Sequence, residues 1–111
     1  IVFQKKVNLE PIDTAKTLFK KLNVEMISLF KKNWINIKNR NYKKIKNLRQ
    51  LGSFHLSSKF NKLDKINLNK KIYPLDLINH LRAKMFKPYP SAYFKKNNKK
   101  IFIEIKLKYG K

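Results

Sequence analysis

Residues 81–94 read LRAKMFKPYPSAYF, the basic end of a helix running into Pro-Tyr-Pro and then into two small residues and two aromatics. Each proline fixes its own φ and biases the residue before it toward extended geometry, so Lys87-Pro88-Tyr89-Pro90 is a stiff connector whose shape is set before the chain folds. Ser91 and Ala92 allow close backbone approach, and Tyr93 and Phe94 open the next segment. Two readings stay open here: a helix-to-strand corner, or a rigid wall for a neighbouring pocket.

The flanks decide what the corner connects. Upstream, KIYPLDLINHLRAKMF predicts a helix over about 75–86, with Pro74 at its first position and Asp76 near the positive end of the dipole. Leu77, Ile78, Leu81 and Met85 would supply its buried face, Lys84 and Lys87 would sit at the negative end, and Pro88 would stop it. Downstream, two runs rich in aromatic and β-branched residues flank KKNNKK, where Asn97 and Asn98 tolerate the positive φ of a hairpin turn. Ile101, Ile103, Ile105 and Leu107 alternate with Phe102, Glu104 and Lys106, the pattern of a half-buried strand.

Further out, Asp13 or Thr14 can cap a helix over about 14–33, in which Leu18, Leu22, Met26, Phe30 and Trp34 recur at i, i+4 and predict a face packed into a core. Residues 2–7, VFQKKV, read as a short strand, and 36–50 as a basic surface connection. His55 has no second His or carboxylate close by, so a structural histidine is favoured over a metal ligand. The fold class is therefore α+β: a short strand, two helices and a C-terminal antiparallel β-hairpin.

Composition narrows the function classes. The chain has 111 residues, enough for one domain with a modest core, and no cysteine, which excludes disulfides, thiolate metal sites and Cys nucleophiles. Only two glycines occur, so Gly-rich phosphate loops are excluded. No apolar run approaches the roughly 20 residues needed to span a bilayer, so no membrane partner and a cytoplasmic location are expected. Net charge is +22, but 25 of the basic residues are Lys and 3 are Arg, beside 13 Asn and 12 Ile. These three abundant residue types share A/T-rich codons, whereas a phosphate-gripping surface would favour the arginine fork. The total charge is accordingly read first as genomic composition, with a small basic nucleic-acid-binding module as the alternative.

The segment INHLRAKMFKPYPSAYF followed by a hairpin resembles the end of the catalytic domain in the methionyl-tRNA formyltransferase superfamily, where a helix ending in Arg-Ala leads to Pro-Tyr/Trp-Pro-Gly-Ala. EPIDTAKTLFKKL is similar to that family's Asp-Thr-Ala helix, and GSFHLSSKFNKLDKINLNKKIYPLDLINHLRA to the stretch leading to Arg-Ala in the sugar N-formyltransferases, the closer branch. The resemblance implies the C-terminal fragment of a Rossmann-like formyltransferase fold: residues 1–50 the end of the catalytic region with the long helix, residues 51–111 the second helix, corner and hairpin.

It also implies that the parent protein transfers a formyl group from 10-formyltetrahydrofolate to an amino group, of a nucleotide-linked amino sugar or of methionyl-tRNA. The family's Asn-x-His pair is absent from this sequence, and its catalytic Asp would precede Ile1. The expectation is an inactive isolated chain without cofactor, a missing N-terminal catalytic half as partner, and a homodimer. No catalytic residue or metal ligand is assigned. Arg82, Pro88, Tyr89, Pro90 and Ser91 are the residues expected to shape the substrate pocket. Ser91 stands where the family has Gly, a departure from its corner geometry.

Overall fold

The computed structural model describes residues 1–46 and 52–111. Its elements in chain order are α1 (Ala15–Lys38), α2 (Ser57–Lys62), α3 (Pro74–Ala83), β1 (Tyr93–Lys96) and β2 (Lys99–Phe102).

Helix α1 begins at a doubly closed cap. Thr14 accepts from the Thr17 amide at 3.3 Å, and Thr17 Oγ1 accepts from the Thr14 amide at 2.9 Å. The helix runs five residues beyond the expected end, because Trp34, Ile35 and Ile37 continue its pattern and no proline or glycine interrupts it. It ends where Arg40 takes a left-handed φ of 53°. Asn41 N–H then reaches Asn36 C=O at 2.8 Å and Arg40 N–H reaches Ile37 C=O at 3.1 Å, the two bonds of a Schellman cap. The expected surface connection therefore starts after Lys38, and positions 47–50 of it lie outside the described residues.

The expected strand at 2–7 is not formed. Among the described residues this stretch joins no ladder, and next to it Ile1 pairs with Ile45 through amide and carbonyl contacts of 2.7 and 3.1 Å. A strand needs a neighbour, and its remaining contacts are side-chain ones: Phe3 edge-on to Tyr42 and Lys5 paired with Glu25. A further short helix, α2, occupies Ser57–Lys62, where the sequence reading places no helix.

Helix α3 starts at Pro74 as expected and stops three residues early. Lys84 caps it, turning inward with its N–H on Leu81 C=O. The hairpin forms as read, with Asn97 and Asn98 at φ of 49° and 59° and Tyr93, Phe94, Lys95 and Lys96 opposite Phe102, Ile101, Lys100 and Lys99. Of the alternating run over residues 101–107, only Ile101 and Phe102 lie in the paired strand, since β1 is four residues long and β2 begins at Lys99.

The buried centre is small. Leu81 and Ala92 are its apolar members, with Asp13, Lys84 and Ser91 buried beside them. It lies where the start of α1, the end of α3 and the entry to β1 meet. Phe19 meets Phe86 edge-on at 5.3 Å, Ile103 N–H reaches Ala92 C=O at 2.8 Å, and Tyr93 N–H reaches Asp64 C=O at 2.8 Å. By contrast α1 buries none of its residues, and Leu22, Met26, Phe30 and Trp34 all lie open along one face. The radius of gyration is 18.8 Å, against about 13 Å for a compact domain of this length. No helix among the described residues is long and apolar enough to cross a membrane.

Candidate functional site

The Pro-Tyr-Pro corner is one side of a hollow of about 420 Å³. Its peptide bond at Lys87-Pro88 is cis, and Tyr89 N–H closes the turn on Phe86 C=O at 2.9 Å. Lys16 ties α1 to the same corner, its ammonium on Lys87 C=O at 3.0 Å and its amide on Met85 C=O at 3.2 Å. Tyr89 and Pro90 line the hollow with Phe60 and Phe86, and Tyr89 is 68% exposed.

At the base of the hollow sits a charge that the helix pattern places outside. Lys84 is 7% exposed, and its ammonium pairs with Asp64 at 2.5 Å, donates to Phe60 C=O at 3.0 Å and stands 3.4 Å from the Phe60 ring centroid. An ammonium out of water is tolerable here because carboxylate, carbonyl and ring face together replace its hydration. Phe60 in α2 and Asp64 in the turn after it lie twenty or more residues upstream, so only the fold brings the three together. The local hint was Lys84 itself, three residues after Leu81 on the same face.

The remaining sequence-derived site residues separate. Arg82 points to the other side of α3, where its guanidinium donates to Glu10 C=O at 3.0 Å and Pro11 C=O at 2.7 Å, beside a second hollow of about 380 Å³. Ser91 is buried against Ala92 and does not line the first hollow. Among the five, Tyr89 and Pro90 are the ones the fold brings to one cavity wall.

Arg82 belongs to a clasp around residues 10–13. Asp13, itself buried, accepts from Lys21 at 2.7 Å, from Glu10 N–H at 2.8 Å and from Thr17 Oγ1 at 2.9 Å. The Lys21 ammonium first, and then the Glu10 amide, hold its carboxyl at about 2, below the usual aspartate value of 3.8. Tyr109 donates to Glu10 Oε2 at 2.9 Å, and that bond to a carboxylate raises the phenol above its usual range. His80 Nε2 donates to Leu63 C=O at 2.7 Å and His55 meets Ser53 Oγ at 3.0 Å. Among the described residues no three His, Cys, Asp or Glu side chains gather as a metal site would require.

Residues 59–109 match the family model of the N-formyltransferase dimerization C-terminal domain. Two solved structures share the fold of nearly the whole chain. A 4-N formyltransferase from Francisella tularensis superposes with a TM-score of 0.89 at 23% identity, over 97% of this chain and 45% of that one. A sugar N-formyltransferase from Shewanella sp. FDAARGOS_354 superposes with a TM-score of 0.84 at 25% identity, over 99% of this chain and 45% of that one. The chain thus spans under half the length of either. No curated protein matches it. The resemblance carried by residues 81–94 stands on both the family match and the fold.

Proposed function

We infer that this chain is the C-terminal portion of a sugar N-formyltransferase and works with a catalytic half that it does not itself carry, a reading supported by the match over 59–109 and by the shared fold. The observation that carries this is an open hollow lined by Tyr89, Pro90, Phe60 and Phe86, in which the Tyr89 and Phe86 rings pack together at 5.8 Å. Such a surface can exclude water from one side of a nucleotide-linked amino sugar and orient its amine, which is a positioning contribution.

The donor in this reading is 10-formyltetrahydrofolate, which supplies the one-carbon group. The residues present do not fit its chemistry: the sequence has no Asn-x-His, and the hollow's two charged groups are engaged with each other. No proton transfer or oxyanion contact is therefore derived from this chain.

Two surfaces fit the rest of such an enzyme. The open stripe of Leu22, Met26, Phe30 and Trp34 is larger than solvent favours, and the missing N-terminal half is its proposed cover. Residues 103–107 keep an alternation of half-buried and exposed side chains, yet from residue 104 onward no backbone hydrogen bond reaches another described residue. An unpaired extended edge of this kind suits strand addition by a second copy, the dimer role that the matched family's description names.

The test compares this chain alone with the same chain extended by its native upstream sequence, each given 10-formyltetrahydrofolate and a nucleotide-linked amino sugar. Transfer by the extended protein alone is expected, with KM raised by Tyr89→Ala. Transfer by the 111-residue chain, or none by the extended one, overturns the reading.

A further inference from the structure

The outer half of the hairpin carries four lysines in two directly opposed pairs, Lys95 with Lys100 and Lys96 with Lys99. Like charges opposite one another weaken a hairpin, and all four are exposed. Residues 91–103 contain no acidic residue, and the following Glu104 is taken by Lys87 at 2.8 Å. Among the described residues none of the four lysines has an acidic partner.

Register places more than charge on one face. Opposed residues share a face and successive ones alternate, so Tyr93 and Phe102 lie on the same side as Lys95 and Lys100. The Phe102 ring is 50% exposed and is held by the Tyr93 ring at 5.6 Å, while the Lys100 ammonium stands 4.7 Å from the Tyr93 centroid. The cations sit two residues along from the rings, roughly 7 Å at strand rise.

We propose that this face of the hairpin binds single-stranded nucleic acid, with a base stacked on Phe102 and its phosphates neutralised by Lys95 and Lys100. An open ring beside uncompensated cations is the arrangement such strands recognise, since every base offers a π-face and every link a phosphate. The lysine-rich composition of the whole chain does not by itself place a ring and two cations on one side. The proposal uses neither the hollow nor the edge beyond residue 103.

The test is fluorescence anisotropy of a labelled oligouridylate of about 12 nucleotides with the full chain, titrated between about 50 and 200 mM salt. Lys95→Gln with Lys100→Gln is expected to reduce the salt slope by about 1.4, two phosphate contacts of a single strand. Phe102→Leu is expected to weaken binding about tenfold and Phe102→Trp to preserve it, while heparin, which has no bases, binds all three proteins alike. An oligothymidylate arm tells RNA from DNA as the preferred strand. Two results overturn the proposal: Phe102→Leu binding the oligonucleotide as the unaltered chain does, or Lys31→Gln with Lys32→Gln on α1 lowering the slope as much as the hairpin pair. The Trp variant guards against misreading a lost hairpin as a lost site.

Discussion

Replacing Asp64 by Asn keeps the shape of the side chain and removes the charge facing Lys84. Lys84 is 7% exposed, and its ammonium would keep only neutral partners: the amide oxygen at position 64, the Phe60 carbonyl at 3.0 Å and the Phe60 ring at 3.4 Å. Breaking a fully buried pair from one side costs about 3–5 kcal/mol, because the surviving charge is stranded. Here the Asp64 side chain is 37% exposed, so water screens that half of the pair and the cost falls to about 2 kcal/mol. Urea denaturation followed by far-UV circular dichroism reads this directly. With an m-value near 1.3 kcal/mol per molar for a small domain, the midpoint should drop by about 1.5 M. Lys84→Met, which leaves no stranded charge and can pack on Phe60, should stay within about 1 kcal/mol of the parent. The double variant should resemble Lys84→Met alone. Equal losses from Asp64→Asn and Lys84→Met, or a midpoint for Asp64→Asn unchanged from the parent, would refute the account of a buried cation held by its partners.

Three further outcomes follow from the caps and the clasp. Asp13 has a carboxyl pKa lowered in the fold, so its contribution is present above the usual aspartate value of 3.8 and is lost as pH falls toward about 2; Asp13→Asn should flatten that part of the stability profile in acid titration. Tyr109 is the opposite case: its pKa is raised, so its contribution holds below the usual tyrosine range and fades as pH climbs through the raised value. Tyr109→Phe should remove that alkaline slope, measured by the pH dependence of the thermal midpoint. Arg40→Gly should raise the thermal midpoint, since a left-handed non-glycine residue costs about 1 kcal/mol that glycine avoids; a lower midpoint would contradict the Schellman assignment.

What could be read in advance divides along the reach of local rules. The cap at Thr14, Pro74 at the head of α3 and the Asn97-Asn98 turn depend on residues a few positions apart, and each formed as its pattern required. The errors fall where a partner distant in sequence, or the lack of one, decides. VFQKKV has the residues of a strand and, among the described residues, no neighbour to pair with. Helix α1 outran its expected end because its stop is an arginine in a conformation that sequence rules reserve for glycine or asparagine. Trp34 reads as core by periodicity, but the described residues leave it 47% exposed.

The same logic separates the five pocket residues. Proline geometry is local, so the stiffness of the Pro88-Tyr89-Pro90 corner was legible. The side on which each neighbour falls was not, because it depends on where α1 and the Glu10 loop dock. Arg82 is drawn to one side of α3 by two loop carbonyls, and Lys84, two residues on, is drawn to the other by Asp64 and Phe60. Each cation thereby ties α3 to a different upstream segment, one before α1 and one beside α2. With so little apolar burial at the centre, these polar ties carry much of the orientation of the corner. A substitution at either should therefore move Tyr89 and Pro90 before it unfolds the helix, linking the pocket wall to residues that never touch it.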